Sequence, residues 1–67
     1  MVENGRVEVT KDILELIYTA LAMGYSKRRI ARELGYSKGY VIDLILAGRL
    51  KTLKPHSLEK LQELVEG

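Results

Sequence analysis

Binding a phosphate backbone requires cations gathered with few acids among them, and one stretch of this chain has that composition. Between Gly24 and His56 stand eight basic residues: Lys27, Arg28, Arg29, Arg32, Lys38, Arg49, Lys51 and Lys54. Only two acids, Glu33 and Asp43, share the stretch, which leaves it a net +6. The flanks hold three cations against seven acids, a net −4, so the overall charge of +2 conceals the division. A basic centre between acidic ends is the electrostatic footprint of a protein that meets a polyanion. A solvated surface with uneven charge is the competing reading of the charge map alone.

Other chemistries have little to work with. The chain has no cysteine, so no disulfide or thiolate metal site is available. Its one histidine, His56, stands beside Pro55, which fits a surface or capping role better than a metal or catalytic one. There is no glycine-rich phosphate loop and no pair of carboxylates on a shared buried face. No enzyme activity, metal or cofactor is therefore expected. No apolar run approaches the roughly 20 residues of a membrane span, and "MVENGRVEV" lacks the apolar core of a signal peptide. The expectation is a cytoplasmic, nucleoid-associated protein with no membrane partner. At 67 residues it forms one small domain.

The elements that must carry these cations are marked by a repeat. "GYSK" occurs at Gly24–Lys27 and again at Gly35–Lys38. In each copy glycine suits the left-handed C′ position that closes a helix, and serine suits the N-cap of the next. Tyr25 and Tyr36 then fall at N′, with Ile30 and Val41 at N4, the spacing of a hydrophobic staple. The pattern predicts a first helix capped by Thr10 and stopped by Gly24, and a second from Ser26 to about Leu34. A third, capped by Ser37, runs to about Ala47 with Gly48 as its stop. In the first helix Ile13, Leu16, Ile17, Ala20 and Leu21 form the apolar stripe, with Leu14, Tyr18 and Met23 in surplus. Ser57 caps a fourth helix whose apolar face is Leu58, Leu61, Leu64 and Val65. "RVEVT", Arg6–Thr10, alternates like a short strand or forms a flexible arm. "LKTLK", Leu50–Lys54, reads as loop or as a strand that pairs with Arg6–Val9. The expected architecture is all-α, with an arm or short strand over residues 1–9 and a compact four-helix domain over residues 10–67.

Two short helices with a tight turn between them meet the demands of a helix-turn-helix. Ala31 is the small residue at the crossing and Gly35 the turn residue; Ile30 and Leu34 face Val41, Leu44 and Ile45. "KRRIARELGYSKGYVIDLIL", Lys27–Leu46, resembles the helix-turn-helix of lambda-repressor/Cro-like DNA-binding proteins. The likeness continues through Gly48, Pro55, Leu58 and Leu61 and covers roughly Thr10 to Val65. The resemblance implies a compact helical domain that binds operator DNA, usually as a homodimer, and regulates transcription. The chain departs from the family in a longer Gly48–Pro55 segment, and in four helices where many members have five. Partition, transposition and recombination modules share the core motif.

The placement of the cations fits this reading. A helix N-terminus carries about +0.5 charge, so an exposed cation there costs about 0.3–1 kcal/mol. Lys27, Arg28 and Arg29 follow the Ser26 cap, and Lys38 follows Ser37. A phosphate beside these ends reverses the sign. Alternatively Arg29 pairs with Glu33 at i,i+4 and the rest are solvated. At 100° per residue, Val41, Leu44, Ile45 and Gly48 face inward. Gly39, Ile42, Asp43 and Leu46 face outward, flanked by Lys38 and Tyr40. In a major groove, Gly39 admits close backbone approach and Lys38 meets guanine or phosphate. Tyr40 meets phosphate or a base edge, Ile42 meets thymine methyls, and Asp43 accepts from cytosine or orients a cation. Burial of Ile42 and Leu46 against a second subunit or the arm is the competing reading. Arg49, Lys51 and Lys54 are expected on phosphates irrespective of sequence. The expected function is sequence-specific double-stranded DNA binding by a small homodimeric transcriptional regulator, a repressor. A helical, antitoxin-like protein-interaction module is the alternative of another class.

Overall fold

Helices of two turns do not persist without tertiary support, and the fold is built around two of them. The computed structural model describes residues 6–67; positions 1–5 of the expected arm lie outside the described residues. In chain order the elements are β1 (Val7–Glu8), α1 (Lys11–Ala22), α2 (Lys27–Glu33), α3 (Tyr40–Leu46), β2 (Thr52–Leu53) and α4 (Ser57–Glu66). The architecture is helical with one short two-stranded sheet, as the sequence predicts.

Both ambiguous segments are extended. β1 and β2 pair antiparallel, with Val7 opposite Leu53 and Glu8 opposite Thr52. The Val9 N–H continues the ladder to the Lys51 carbonyl at 2.9 Å. Arg6 secures the far end, where its Nη2 donates to Thr52 Oγ1 at 2.8 Å. So short a ribbon needs a hydrophobic anchor, and fully buried Leu53 with half-buried Val7 and Val9 provides it.

The first three helices stop in the same way. Gly24, Gly35 and Gly48 take φ of 100°, 92° and 78°. The Gly24 and Tyr25 N–H groups return to the Leu21 and Ala20 carbonyls, and those of Gly35 and Tyr36 to Arg32 and Ala31. Gly48 and Arg49 close α3 on Ile45 and Leu44. This is the Schellman arrangement, which satisfies carbonyls a helix end would otherwise leave open. In both copies of "GYSK" the tyrosine thus closes the helix before it, and its ring packs half-buried on the core.

The two copies differ in how they start a helix. Ser26 Oγ accepts from the Arg29 N–H at 3.1 Å, and Thr10 Oγ1 accepts from Ile13 at 3.4 Å. Ser37 does not cap, contrary to the sequence expectation. The N-cap of α3 is Gly39, without a side-chain bond. The helix opens on tight i→i+3 bonds, Val41 N–H to Lys38 O at 3.3 Å and Ile42 N–H to Gly39 O at 3.0 Å. The chain first closes on α2: a Cβ on Gly39 would lie 3.1 Å from Arg28 N and 3.2 Å from Arg28 Cα. The predicted N′–N4 staple of Tyr36 and Val41 lapses with the Ser37 cap. Ser57 is likewise not a cap. It is the first residue of α4, buried, and its Oγ donates to the Lys54 carbonyl at 2.6 Å. His56 holds the cap position through its backbone, at φ 69°.

The core draws on every helix: Ile13, Ile17 and Ala20 of α1, Ile30 and Ala31 with Leu34 of α2, Val41, Ile42 and Ile45 of α3, and Leu61 and Leu64 of α4. Each fully buried Ile or Leu contributes about 1.5–3 kcal/mol. Ile42 is the correction here. It is expected on the groove face and is instead wholly buried, while Leu44, expected inside, is half-buried. Relative to the predicted phase, α3 is turned by roughly 50° about its axis, at 100° per residue. Apolar residues at 41, 42, 44, 45 and 46 satisfy either phase, and the core selects the one that takes Ile42.

The unequal caps give an expected pair of outcomes. Ser26→Ala loses about 1 kcal/mol of unfolding free energy, and Ser37→Ala stays within about 0.5 kcal/mol of wild type. Urea denaturation of the two variants side by side measures the difference, and equal losses would contradict the assignment of the caps.

Candidate nucleic-acid interface

α2 and α3 meet at their N-terminal ends through two contacts. Gly39 lies on the Arg28 backbone, and Lys27 Nζ donates to Asp43 Oδ1 at 2.6 Å. These bring Ser26, Lys27 and Arg28 beside Gly39, Tyr40 and Asp43. The ion pair is half-exposed on both sides, 50% and 56%. Such a pair adds about 0.2–1 kcal/mol and leaves both groups within reach of a ligand. The close approach that Gly39 permits is therefore to α2, within the protein. Asp43 is paired with a neighbouring cation, Lys27.

The outward arc of α3 consists of Tyr40, Asp43 and Ala47, with Leu44 at its edge. Tyr40 is 58% exposed. Ile42 is absent from the arc because the core holds it, and Leu46 packs half-buried against that core. Leu44 and Ala47 are not among the contacts expected from the sequence. Their spacing from Tyr40, i+4 and i+7, is the signal that would have found them.

The cations divide into two groups. Arg29 turns away from α3: its Nε donates to Glu33 Oε2 at 3.4 Å, and its guanidinium stands 5.5 Å from the Tyr25 ring centroid. With Arg32, Glu33 and Lys60 it borders an open groove between α2 and α4. The i,i+4 pairing is thus the observed state of Arg29. Arg28 and Lys38 are exposed and, among the described residues, make no ion pair or side-chain hydrogen bond. The same holds for Arg49 and Lys51, which follow α3.

Lys54, expected on a phosphate, makes contacts within the protein. Its Nζ donates to the Gly35 carbonyl at 2.6 Å and lies 4.7 Å from the Tyr36 ring centroid. A cation at the C-terminal end of α2 has the favourable dipole sense, and an exposed ring contact adds about 0.5–1 kcal/mol. This ammonium is engaged within the protein.

An apolar depression lies between the β-ladder, α1 and the end of α3, lined by Val9, Leu14, Leu46 and Leu50 among others. Among the described residues no cluster of three or more His, Cys, Asp or Glu is arranged to hold a metal ion. No described helix is long and apolar enough to cross a membrane.

Because Gly39 is in contact with backbone rather than with a movable side chain, Gly39→Val is expected to lower stability by about 1–3 kcal/mol. Its φ of −68° suits any residue, so the loss would measure the contact and not backbone strain. A stability equal to wild type in chemical denaturation would show that α2 and α3 separate at no cost.

Comparison with protein-family models, with curated proteins and with solved structures finds no match to this chain.

Proposed function

We propose that this chain is a sequence-specific double-stranded DNA-binding protein of the helix-turn-helix type, acting as a small transcriptional regulator. The observation that carries the reading is the junction of α2 and α3, where the starts of two helices adjoin and Lys27, Arg28 and Lys38 gather at them. Each of these cations stands against its own helix dipole, and a phosphate is the group that makes the arrangement favourable. In this reading the arc of Tyr40, Asp43, Leu44 and Ala47 enters the major groove. Lys27, Arg28 and Lys38 meet the backbone on one side, and Arg49 and Lys51 on the other. When a phosphate takes Lys27, Asp43 is released to accept from cytosine N4.

The protein acts as a homodimer in this reading. Tyr18, one turn beyond Leu14 on α1, is 56% exposed. The apolar depression at Leu14, Leu46 and Leu50 borders the same helix, and a second copy is its proposed occupant. A two-fold pair presents two copies of α3 to half-sites about 34–36 Å apart.

Selection from a random duplex pool tests the whole reading. The expected product is a pair of half-sites related by symmetry. Affinity for it should fall by about 0.9 log units per log unit of salt for each phosphate neutralised. Lys38→Glu should weaken binding at least about tenfold with an unchanged circular dichroism spectrum. An unenriched pool would remove the DNA reading, and partner capture that survives high salt would favour the protein-interaction alternative. Light scattering after size exclusion at micromolar loading should report a dimer; a monomer at every loading would remove that half of the proposal.

A further inference from the structure

Lys54 joins three elements behind the helix-turn-helix. Its carbonyl accepts from Ser57 Oγ at 2.6 Å, which fixes it between the end of β2 and the start of α4. Its neighbour Leu53 is fully buried and paired with Val7 in the ladder, so the base of the lysine arm has little freedom. From this base the ammonium crosses to the turn between α2 and α3 and donates to the Gly35 carbonyl at 2.6 Å. The stem follows the same residue: Cδ would lie 3.4 Å from a Cβ on Gly35. The ammonium also covers the Tyr36 ring. Gly35 and Tyr36 are the residues whose N–H groups close α2. Beyond them Ser37 and Lys38 are exposed and, among the described residues, make no side-chain hydrogen bond before α3 begins. Lys54 thus reaches the turn from outside the two helices that the turn joins.

We infer that Lys54 is a positioning residue: it holds the turn, and through the turn the start of α3, at the angle that presents Tyr40 and Asp43 outward. It does not belong to the set of phosphate contacts. The strand pair is thereby coupled to the outward arc of α3, since displacing β1 from β2 moves the anchor of Lys54. The consequence for DNA rests on the function proposed above, whereas the conformational consequence stands on these contacts alone. A hydrogen bond donated by an ammonium to a carbonyl restrains geometry more than a ring contact does, so the donor is the part to remove.

The test uses Lys54→Met, which keeps the stem, and Lys54→Arg, which keeps the charge. Without DNA, amide hydrogen exchange at Val41 and Ile42 should quicken roughly tenfold in Lys54→Met, while Ile17 and Leu61 retain wild-type rates. Equal acceleration at all four amides, or none at any, would overturn the inference. With the selected duplex, Lys54→Met should lose roughly tenfold in specific affinity, a drop that Lys54→Arg largely restores. Its non-specific affinity and salt slope should match wild type. A slope smaller by about 0.9 would mark Lys54 as a phosphate contact and overturn the inference. So would an unchanged ratio of specific to non-specific affinity. Should wild-type protein bind no duplex at all, the function proposed above fails, and the exchange rates alone decide for or against the restraint.

Discussion

A seven-residue helix makes too few internal hydrogen bonds to offset the cost of its first turn, and this chain places two of them in succession. Everything around α2 and α3 compensates for that deficit. Each ends in a glycine whose positive φ lets two further N–H groups return to the helix. Each buries its inner face in the common core. The starts are pressed together at Gly39 and Arg28, so one helix supports the other where fraying would begin. The short β-ladder is part of the same solution, because it brings Lys54 to the turn between the two helices.

The charges follow the same division between supported and open ends. At the closed end of α2, Lys54 lies beside a helix C-terminus, where a cation lowers the energy of the protein by itself. At the open end Lys27, Arg28 and Arg29 crowd an N-terminus, where each raises it. Lys27 and Arg29 are relieved by Asp43 and Glu33, through half-exposed pairs worth little. Lys27 and Arg28 thus stand at the α2–α3 junction against the dipole of α2, and Lys54 stands behind it with the dipole.

The parts of the fold that are legible in the sequence are the ones decided within a few residues. A glycine shortly past an apolar stripe, with serine two beyond, announces a stop and a start. Gly24, Ser26 and Gly35 behave as that grammar predicts. Ser37 has the same neighbours as Ser26 and a different outcome, because the chain after it must reach α2 before it can coil. That requirement is tertiary and leaves no mark on "YSKGY". The phase of α3 was illegible for a related reason. With five apolar residues among seven, periodicity cannot distinguish two faces half a residue apart, and it favours the wrong one for Ile42. Lys54 shows the remaining limit. Composition identifies it as one more cation after α3, whereas its partner is a backbone carbonyl nineteen positions away. Carbonyls are identical in every residue, so no side-chain pattern could have pointed to Gly35.

The burial of Ile42 also bears on how a duplex would be read. With Ile42 in the core, the outward arc of α3 offers Tyr40 and Asp43 as its hydrogen-bonding side chains, beside Leu44 and Ala47. A well-made base contact discriminates by about 1–3 kcal/mol, so two of them supply about 2–6 kcal/mol. Specific sites are typically favoured over random sequence by about 4–10 kcal/mol. One copy reaches only the lower part of that range, and its phosphate contacts add affinity without choice. Two copies on a symmetric site double the discriminating contacts and span the range. On the DNA-binding reading, then, the second copy follows from the sparse chemistry of α3 itself, independently of any exposed apolar surface. The narrower the vocabulary of one recognition helix, the more the spacing between two of them must carry the specificity.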